Sequence, residues 1–180
     1  MKQSVYITGM SALTCAGLSI DETWNAVEQS KSALSPMPEL VDAEWNTTLG
    51  GAIQGFKPAK MLPDKKMSKV ISKQDAMGIN AAVQAIEHSG LMQWRDAHED
   101  RNTAQFNEAT GVYVGSPGNK YAQQYDFLSL VAKANGDMQA FANELFSEVH
   151  PMWLLRILPN NVLAYVGITY GLKGANHNVT

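Results

Sequence analysis

Between Ile71 and Gly90 the apolar residues Ala76, Ile79, Val83 and Ile86 fall three and four positions apart. On a helix of 3.6 residues per turn this spacing gathers them on one face. Gly90 stands where the chain must leave the helix, and glycine adopts the left-handed conformation of a helix C-terminal cap without strain. Gly78, Ala81, Ala82 and Ala85 fill much of the remainder, so neighbours can approach the backbone closely on more than one side. A helix of this kind is not suited to lie on a surface. It predicts a layered fold with this helix sandwiched between other elements.

Shorter signals flank it. Val5–Thr8 (VYIT) is a β-branched and aromatic run ending at Gly9, the pattern of a buried strand that enters a loop. Ser19-Ile20-Asp21-Glu22 has the form of a capping box ahead of TWNAVEQ and predicts a helix there. Thr48 to Phe56 reads as a second strand or, because of Gly50, Gly51 and Gly55, as a loop or bulge. Gln93 to Glu108 is polar and reads as a surface connection. Thr110 to Val114 (TGVYV) predicts another short strand, closed by GSPGN, and Lys120 to Ala134 and Met138 to Val149 both read as helical around Gly136. His150-Pro151 breaks that run, because proline disfavours helix in the residue before it. Pro159 then opens NNVLAYVGITYGL, expected as a buried helix with proline in its first turn. Strands alternating with helices predict an α/β fold with mainly parallel pairing.

Length and charge narrow the function classes. At 180 residues the chain suits a single domain, 1–180, and its net charge of −3 offers no basic face for nucleic acid. Cys15 is the lone cysteine, so no internal disulfide forms, and no Cys/His group has metal-ligand spacing. The first residues lack a signal peptide's apolar stretch, and no segment approaches the roughly 18 to 20 apolar residues of a membrane span. A soluble, cytoplasmic protein without metal is expected.

Local motifs do not supply an active site. VYITGMSALTCAG leads from a strand through a glycine to a helix but lacks G-x-G-x-x-G, which leaves a plain strand-to-helix loop. GSPGNK, Gly115 to Lys120, lacks the phosphate-loop pattern and reads as a tight turn that lets something approach the backbone. Cys15 has no histidine near it in sequence and reads as a small apolar loop residue. His88, His98, His150 and His177 share no recurring spacing, and His88 is explained by the dipole at its helix C-terminus. From the residues alone this is a soluble α/β domain with a candidate pocket near Gly115 to Asn119.

Three stretches, in order, resemble the N-terminal half of a β-ketoacyl-acyl carrier protein synthase, a condensing enzyme of the thiolase fold. VYITGMSALTCAGLSIDETWNAVEQSKSAL resembles the family's opening strand, loop and helix, including a tryptophan at Trp24. ATGVYVGSPGN resembles the strand and glycine-rich turn that border the acyl pocket, and LPNNVLAYVGITYGLKGAN resembles an L-P-N segment, a buried helix and Y-G-L-x-G-P-N. The resemblance implies one half of a thiolase-like fold, incomplete without a C-terminal half: a mainly parallel sheet, buried central helices, and an added helical segment. It implies decarboxylative Claisen condensation of an acyl thioester with a malonyl unit, in fatty acid, polyene or polyketide synthesis.

In the family the nucleophilic cysteine follows Y-G-L-x-G-P-N, about three residues beyond Thr180 in the same register. A thiol at a helix N-terminus is favoured as thiolate, which explains that placement. The family's two histidines belong to its C-terminal half, so no catalytic residue is expected within these 180 positions. What the resemblance assigns here is framework: Gly115, Ser116, Pro117 and Gly118 lining the acyl channel, and Trp153 and Leu158 beside a partner subunit's pocket. It implies an acyl carrier protein as partner, a homodimer or a heterodimer with a related subunit, and no cofactor besides the carrier's phosphopantetheine. A subunit of chain-length-factor type, which keeps the fold without the cysteine, is the alternative. Cys15 stands where the family usually has proline, Pro117-Gly118 departs from the usual turn, and Lys120 to Val149 is longer than in the common elongating enzymes.

Overall fold

The computed structural model describes residues 4–97, 103–116 and 127–179. Helix α4 (Lys73–Ser89) is its centre, one residue or two displaced from the periodic stretch that predicts it. Ser72 caps it with a reciprocal pair: its Oγ accepts from the Asp75 amide at 3.1 Å, and Asp75 Oδ2 accepts from the Ser72 amide at 3.1 Å. Gly90 closes the helix at φ 63°, in the left-handed region.

The apolar face of α4 supplies Ala76, Ile79 and Val83 to one core cluster with Phe56, Leu62, Ile71 and Val166. Ile79 is fully buried, a contribution of about 1.5–3 kcal/mol from its side chain. The small residues serve the other sides. Gly78 lies against Val162 of α10 (Asn161–Tyr170), and the Ala81 carbonyl accepts from Ser11 Oγ at 2.6 Å. The expected sandwiching is therefore observed, with α10 on one side and the N-terminal loop on another.

α1 (Ile20–Glu28) starts at the Ser19 cap, with a shift in the reciprocal bond: Glu22 Oε2 accepts from Leu18 rather than from Ser19, at 2.6 Å. The hairpin β1 (Ser35–Pro36) and β2 (Leu49–Gly50) pairs antiparallel around α2 (Pro38–Asp42). Thr48 to Phe56 is thus a two-residue strand followed by loop, turned at Gly55 with φ 73°. α3 (Pro58–Met61) and a 3₁₀ turn (Lys65–Lys69) lead into α4.

β3 (Tyr113–Gly115) pairs parallel with β4 (His177–Val179), Tyr113 opposite His177 and Gly115 opposite Val179. A parallel pair needs a crossover connection. Here it carries α7 (Leu128–Ala134), α8 (Met138–Glu148), α9 (Trp153–Ile157) and α10. α7 ends at Asn135 in the left-handed region and Gly136, as the break between the two expected helices requires.

Several expectations need correction. Val5–Thr8 forms no strand among the described residues and is open to solvent, Val5 being 94% exposed. A strand is completed by a neighbour's backbone, and no described residue pairs with it. Gln93 to Glu108, expected as a surface connection, has no buried residue among those described, and α5 (Leu91–Ala97) and α6 (Thr103–Ala109) occupy most of it. Arg95 braces them against α10, its Nη1 donating to the Tyr170 carbonyl at 2.9 Å and to Asn107 Oδ1 at 3.2 Å. Pro159 precedes α10 and its Asn160 cap instead of occupying the first turn, and the helix buries only Asn161 and Val166 fully. The described strands form one parallel and one antiparallel pair, so a mainly parallel sheet is visible only in part. The helix expected from Lys120 is seen from Leu128 onward, and residues 117–126 lie outside the described residues.

Candidate functional site

Gly115 and Ser116 stand at the C-terminal end of β3, beside a cavity of about 340 Å³. One wall is the start of α4, with Gln74, Asp75, Gly78 and Ala82, and the other is Pro159 and Val162 at the entry to α10. Ser116 closes the strand ends together: its amide donates to the Val179 carbonyl at 2.9 Å, and its Oγ donates to Asn178 Oδ1 at 3.1 Å. Pro117 and Gly118, expected beside them, lie outside the described residues.

A buried polar network holds the far wall. Asp75 Oδ2 accepts from Ser72 Oγ at 2.8 Å and from Asn161 Nδ2 at 3.1 Å, and the same Asn161 amide donates to the Leu155 carbonyl at 2.8 Å. Asp75, Ser72 and Asn161 are all buried. Buried polar groups are costly unless paired, so this set fixes the entry of α10 against the start of α4 in one arrangement. Deeper along α4, Gln84 Nε2 donates to Asn80 Oδ1 and to the Leu18 carbonyl, and Asn80 donates to the Met61 carbonyl.

Trp153 and Leu158 do not line this cavity. Trp153 begins α9 and meets Phe127 edge to face, ring centroids 4.4 Å apart, while Leu158 follows α9 and is partly exposed. The structure thus gathers Gly115, Ser116 and Pro159 at one place, and Trp153 and Leu158 are not among the residues lining it. The wall residues Gln74, Gly78, Ala82 and Val162 were not expected from sequence. Their signal was present in Gly78 and Ala82, small residues four positions apart on a helix that otherwise packs with branched side chains.

Cys15 borders a larger cavity, about 530 Å³, between α1 and the β1–β2 hairpin. Its sulfur packs on Gly51, where a methyl group would stand 2.6 Å from Sγ, in keeping with a packed loop residue. Size alone does not select a site, and no histidine borders this cavity among the described residues. The histidines have structural partners instead. His88 Nδ1 accepts from the Met10 amide at 3.1 Å, so it fastens the N-terminal segment as well as facing the helix C-terminus. His150 Nδ1 accepts from the Met152 amide at 3.0 Å, and His177 stacks on Tyr113 at 5.4 Å. His98 lies outside the described residues. Among the described residues no group of His, Cys, Asp and Glu has the arrangement of a metal site. No helix among them is long and apolar enough to cross a membrane.

A family model described as "Beta-ketoacyl synthase, N-terminal domain" matches residues 2–180. The chain belongs to the β-ketoacyl synthase N-terminal domain family. Similar proteins include a 3-oxoacyl-[acyl-carrier-protein] synthase 2 of Vibrio cholerae, 25% identical over 97% of this chain. That of Coxiella burnetii is 25% identical over 99% of the chain. This β-ketoacyl synthase domain spans 37% and 38% of the length of those two relatives. Solved structures agree on the fold. A β-ketoacyl synthase from Burkholderia phymatum superposes on 94% of the chain with a TM-score of 0.65 at 17% identity, covering 37% of that protein. The ishigamide ketosynthase/chain length factor gives 0.68 over 97% of the chain at 15% identity, covering 39% of its own. The thiolase-like α/β fold of the ketosynthases is accordingly the fold of this domain.

Proposed function

We propose that this domain is the N-terminal part of a β-ketoacyl-acyl carrier protein synthase, which condenses an acyl thioester with a malonyl unit and releases carbon dioxide. The observation that carries the reading is the family match over residues 2–180, supported by relatives that are 3-oxoacyl-[acyl-carrier-protein] synthases. In this reading a cysteine thiolate outside the 180 residues takes the acyl chain, and two histidines, also outside them, assist decarboxylation so that the resulting carbanion attacks the thioester. The β3 end contributes part of the acyl channel through Gly115, Ser116, Pro117 and Gly118, while Trp153 and Leu158 face a partner subunit. A solved type II polyketide ketosynthase in complex with its acyl carrier protein and bound to a hexaketide shares the fold, TM-score 0.62 over 95% of this chain and 40% of its own. That complex supports a carrier protein as the partner here, with phosphopantetheine arriving on the carrier and no resident cofactor. The protein is assigned to the cytoplasm and to a dimer with an identical or related subunit.

The test is condensation by the protein as its gene encodes it, with malonyl and acyl carriers, following release of carbon dioxide and the 3-oxoacyl product by mass. Product formation that depends on a cysteine in the expected turn supports the reading. No product alone, but an altered product length when a sister subunit is present, assigns the chain-length role instead. The 180-residue segment by itself is expected to form no product.

A further inference from the structure

β4 is a strand whose own residues do not fix where it must lie on β3. The two pair over three residues, His177 and Val179 are exposed and Asn178 is half-buried, so β4 turns no apolar face into a core. Register is strongly specified where one face of a strand is buried, and weakly where neither is. A slip of one residue turns every following side chain to the opposite face of the sheet. The observed register, Tyr113 opposite His177, therefore needs pins besides the ladder.

A side chain and a turn supply them. Asn176 Oδ1 accepts from the Val112 amide at 2.9 Å, immediately before the first ladder pair, and the Val112 carbonyl accepts from the His177 amide at 3.1 Å. At the far end Ser116 Oγ donates to Asn178 Oδ1 at 3.1 Å. The turn that delivers β4 is held on the segment that delivers β3: the Lys173 amide donates to the Asn107 carbonyl at 2.7 Å, and the Gly174 amide to the Thr110 carbonyl at 3.0 Å. The fit is close. A methyl group on Gly174 would stand 2.6 Å from the Thr110 carbonyl carbon, and one on Gly111 would strike the Ala175 carbonyl. Arg95 fixes where the turn begins, its Nη1 donating to the Tyr170 carbonyl at the C-terminus of α10. Among these contacts the Asn176 bond ties one residue beside β4 to one residue beside β3, and any slipped register breaks it.

We propose that Asn176 is a positioning residue, which sets the register of β4 on β3 and so the face on which the residues beyond β4 emerge. The consequence for catalysis rests on the condensing-enzyme reading above, in which a thiol follows β4. Misplacing a reacting group by about 1 Å costs on the order of a hundredfold in rate, so a loosened register acts on the chemical step rather than on binding.

The experiment uses the protein as its gene encodes it, with Asn176→Ala and Asn176→Asp, the second keeping an acceptor of the same shape for the Val112 amide. Asn176 is exposed, so neither change disturbs the core. Hydrogen exchange is read at the Ser116 amide, which donates to the Val179 carbonyl and not to Asn176, and thus reports register at the other end of the ladder. Asn176→Ala is expected to speed that exchange about tenfold and to lower kcat for condensation about tenfold, with KM for the acyl carrier unchanged. Asn176→Asp is expected to restore both to within about threefold. Exchange that Asn176→Ala leaves unchanged, or that Asn176→Asp does not restore, overturns the register role. Faster exchange with an unchanged kcat overturns the positioning role. A protein that forms no condensation product yet shows the loss and the restoration of Ser116 protection keeps the register role and sinks the enzymatic reading instead.

Discussion

Replacing Asp75 by alanine removes from the interior an oxygen that three donors share: the Ser72 amide, Ser72 Oγ and Asn161 Nδ2. The carboxylate half of the α4 capping box and the anchor of α10 are lost together, and buried donors are left behind. A loss of about 2–4 kcal/mol is expected, in urea unfolding with an unchanged denaturant slope. Asp75→Asn keeps an acceptor of the same shape and should cost about half as much. Tyr170 gives a pH-dependent prediction. Burial, and then the Glu87 carboxylate, hold its phenol above the ordinary range. The folded state therefore keeps a proton that the unfolded chain releases, and stability falls as pH rises beyond about 10. Tyr170→Phe should flatten that alkaline loss in unfolding midpoints measured across the range. The Lys133 ammonium, raised by its hydrogen bond to Glu148, acts in the same direction: its contribution is present at neutral pH and is lost as pH rises through its raised value.

Between elements, the closest constraint is the α4–α10 crossing. A methyl group on Gly78 would sit 2.9 Å from Val162 Cγ2 and 3.3 Å from Cγ1. Valine in a helix has one strongly preferred rotamer, so Val162 cannot turn aside. Gly78→Ala gains up to about 1 kcal/mol of helix propensity and loses about 1–3 kcal/mol to overpacking, a net destabilisation. In a Val162→Ala background the same change should become neutral or stabilising, and a double-mutant cycle reads that reversal of sign directly. The elements that were legible in sequence are those with local causes. Ser19 and Gly90 announce helix ends through bonds to residues at most a turn away. α5 and α6 were missed because their polar sequence carries little apolar periodicity, and they are braced through Arg95 and Asn107 onto α10, far along the chain.

For the whole molecule, the exposed apolar surface is the main physical consequence. Val5, Tyr6 and Ile7 are 80% exposed or more, and Ile168 of α10 is 72% exposed. The β3–β4 pair has no further strand on either side among the described residues. Open strand edges and apolar patches drive association. Expressed as these 180 residues alone, the domain is expected to self-associate or precipitate, and sedimentation velocity would show it. A monodisperse, cooperatively unfolding monomer would count against this expectation. The candidate site was legible only in outline at this scale. Gly115 and Ser116 stand on a glycine-bearing strand end that the sequence marks, but the wall opposite comes from α4 and α10, brought there by packing across some forty residues on either side.

Sequence by itself determined what depends on neighbours along the chain: the apolar stripe of α4, its caps, the break at His150-Pro151, the left-handed ends at Gly90 and Asn135-Gly136, and the motif order that places the domain in its family. Tertiary structure alone decided which of those surfaces are covered. Val5–Thr8 has the composition of a buried strand, yet a strand exists only where a second backbone takes its hydrogen bonds, and that partner is not written in the run itself. The same holds for Arg156, whose place in sequence says nothing of the Lys69 carbonyl to which its Nη2 donates at 3.3 Å. Periodicity is local and survives in one dimension, whereas pairing, burial and the grouping of like charges arise when distant segments meet.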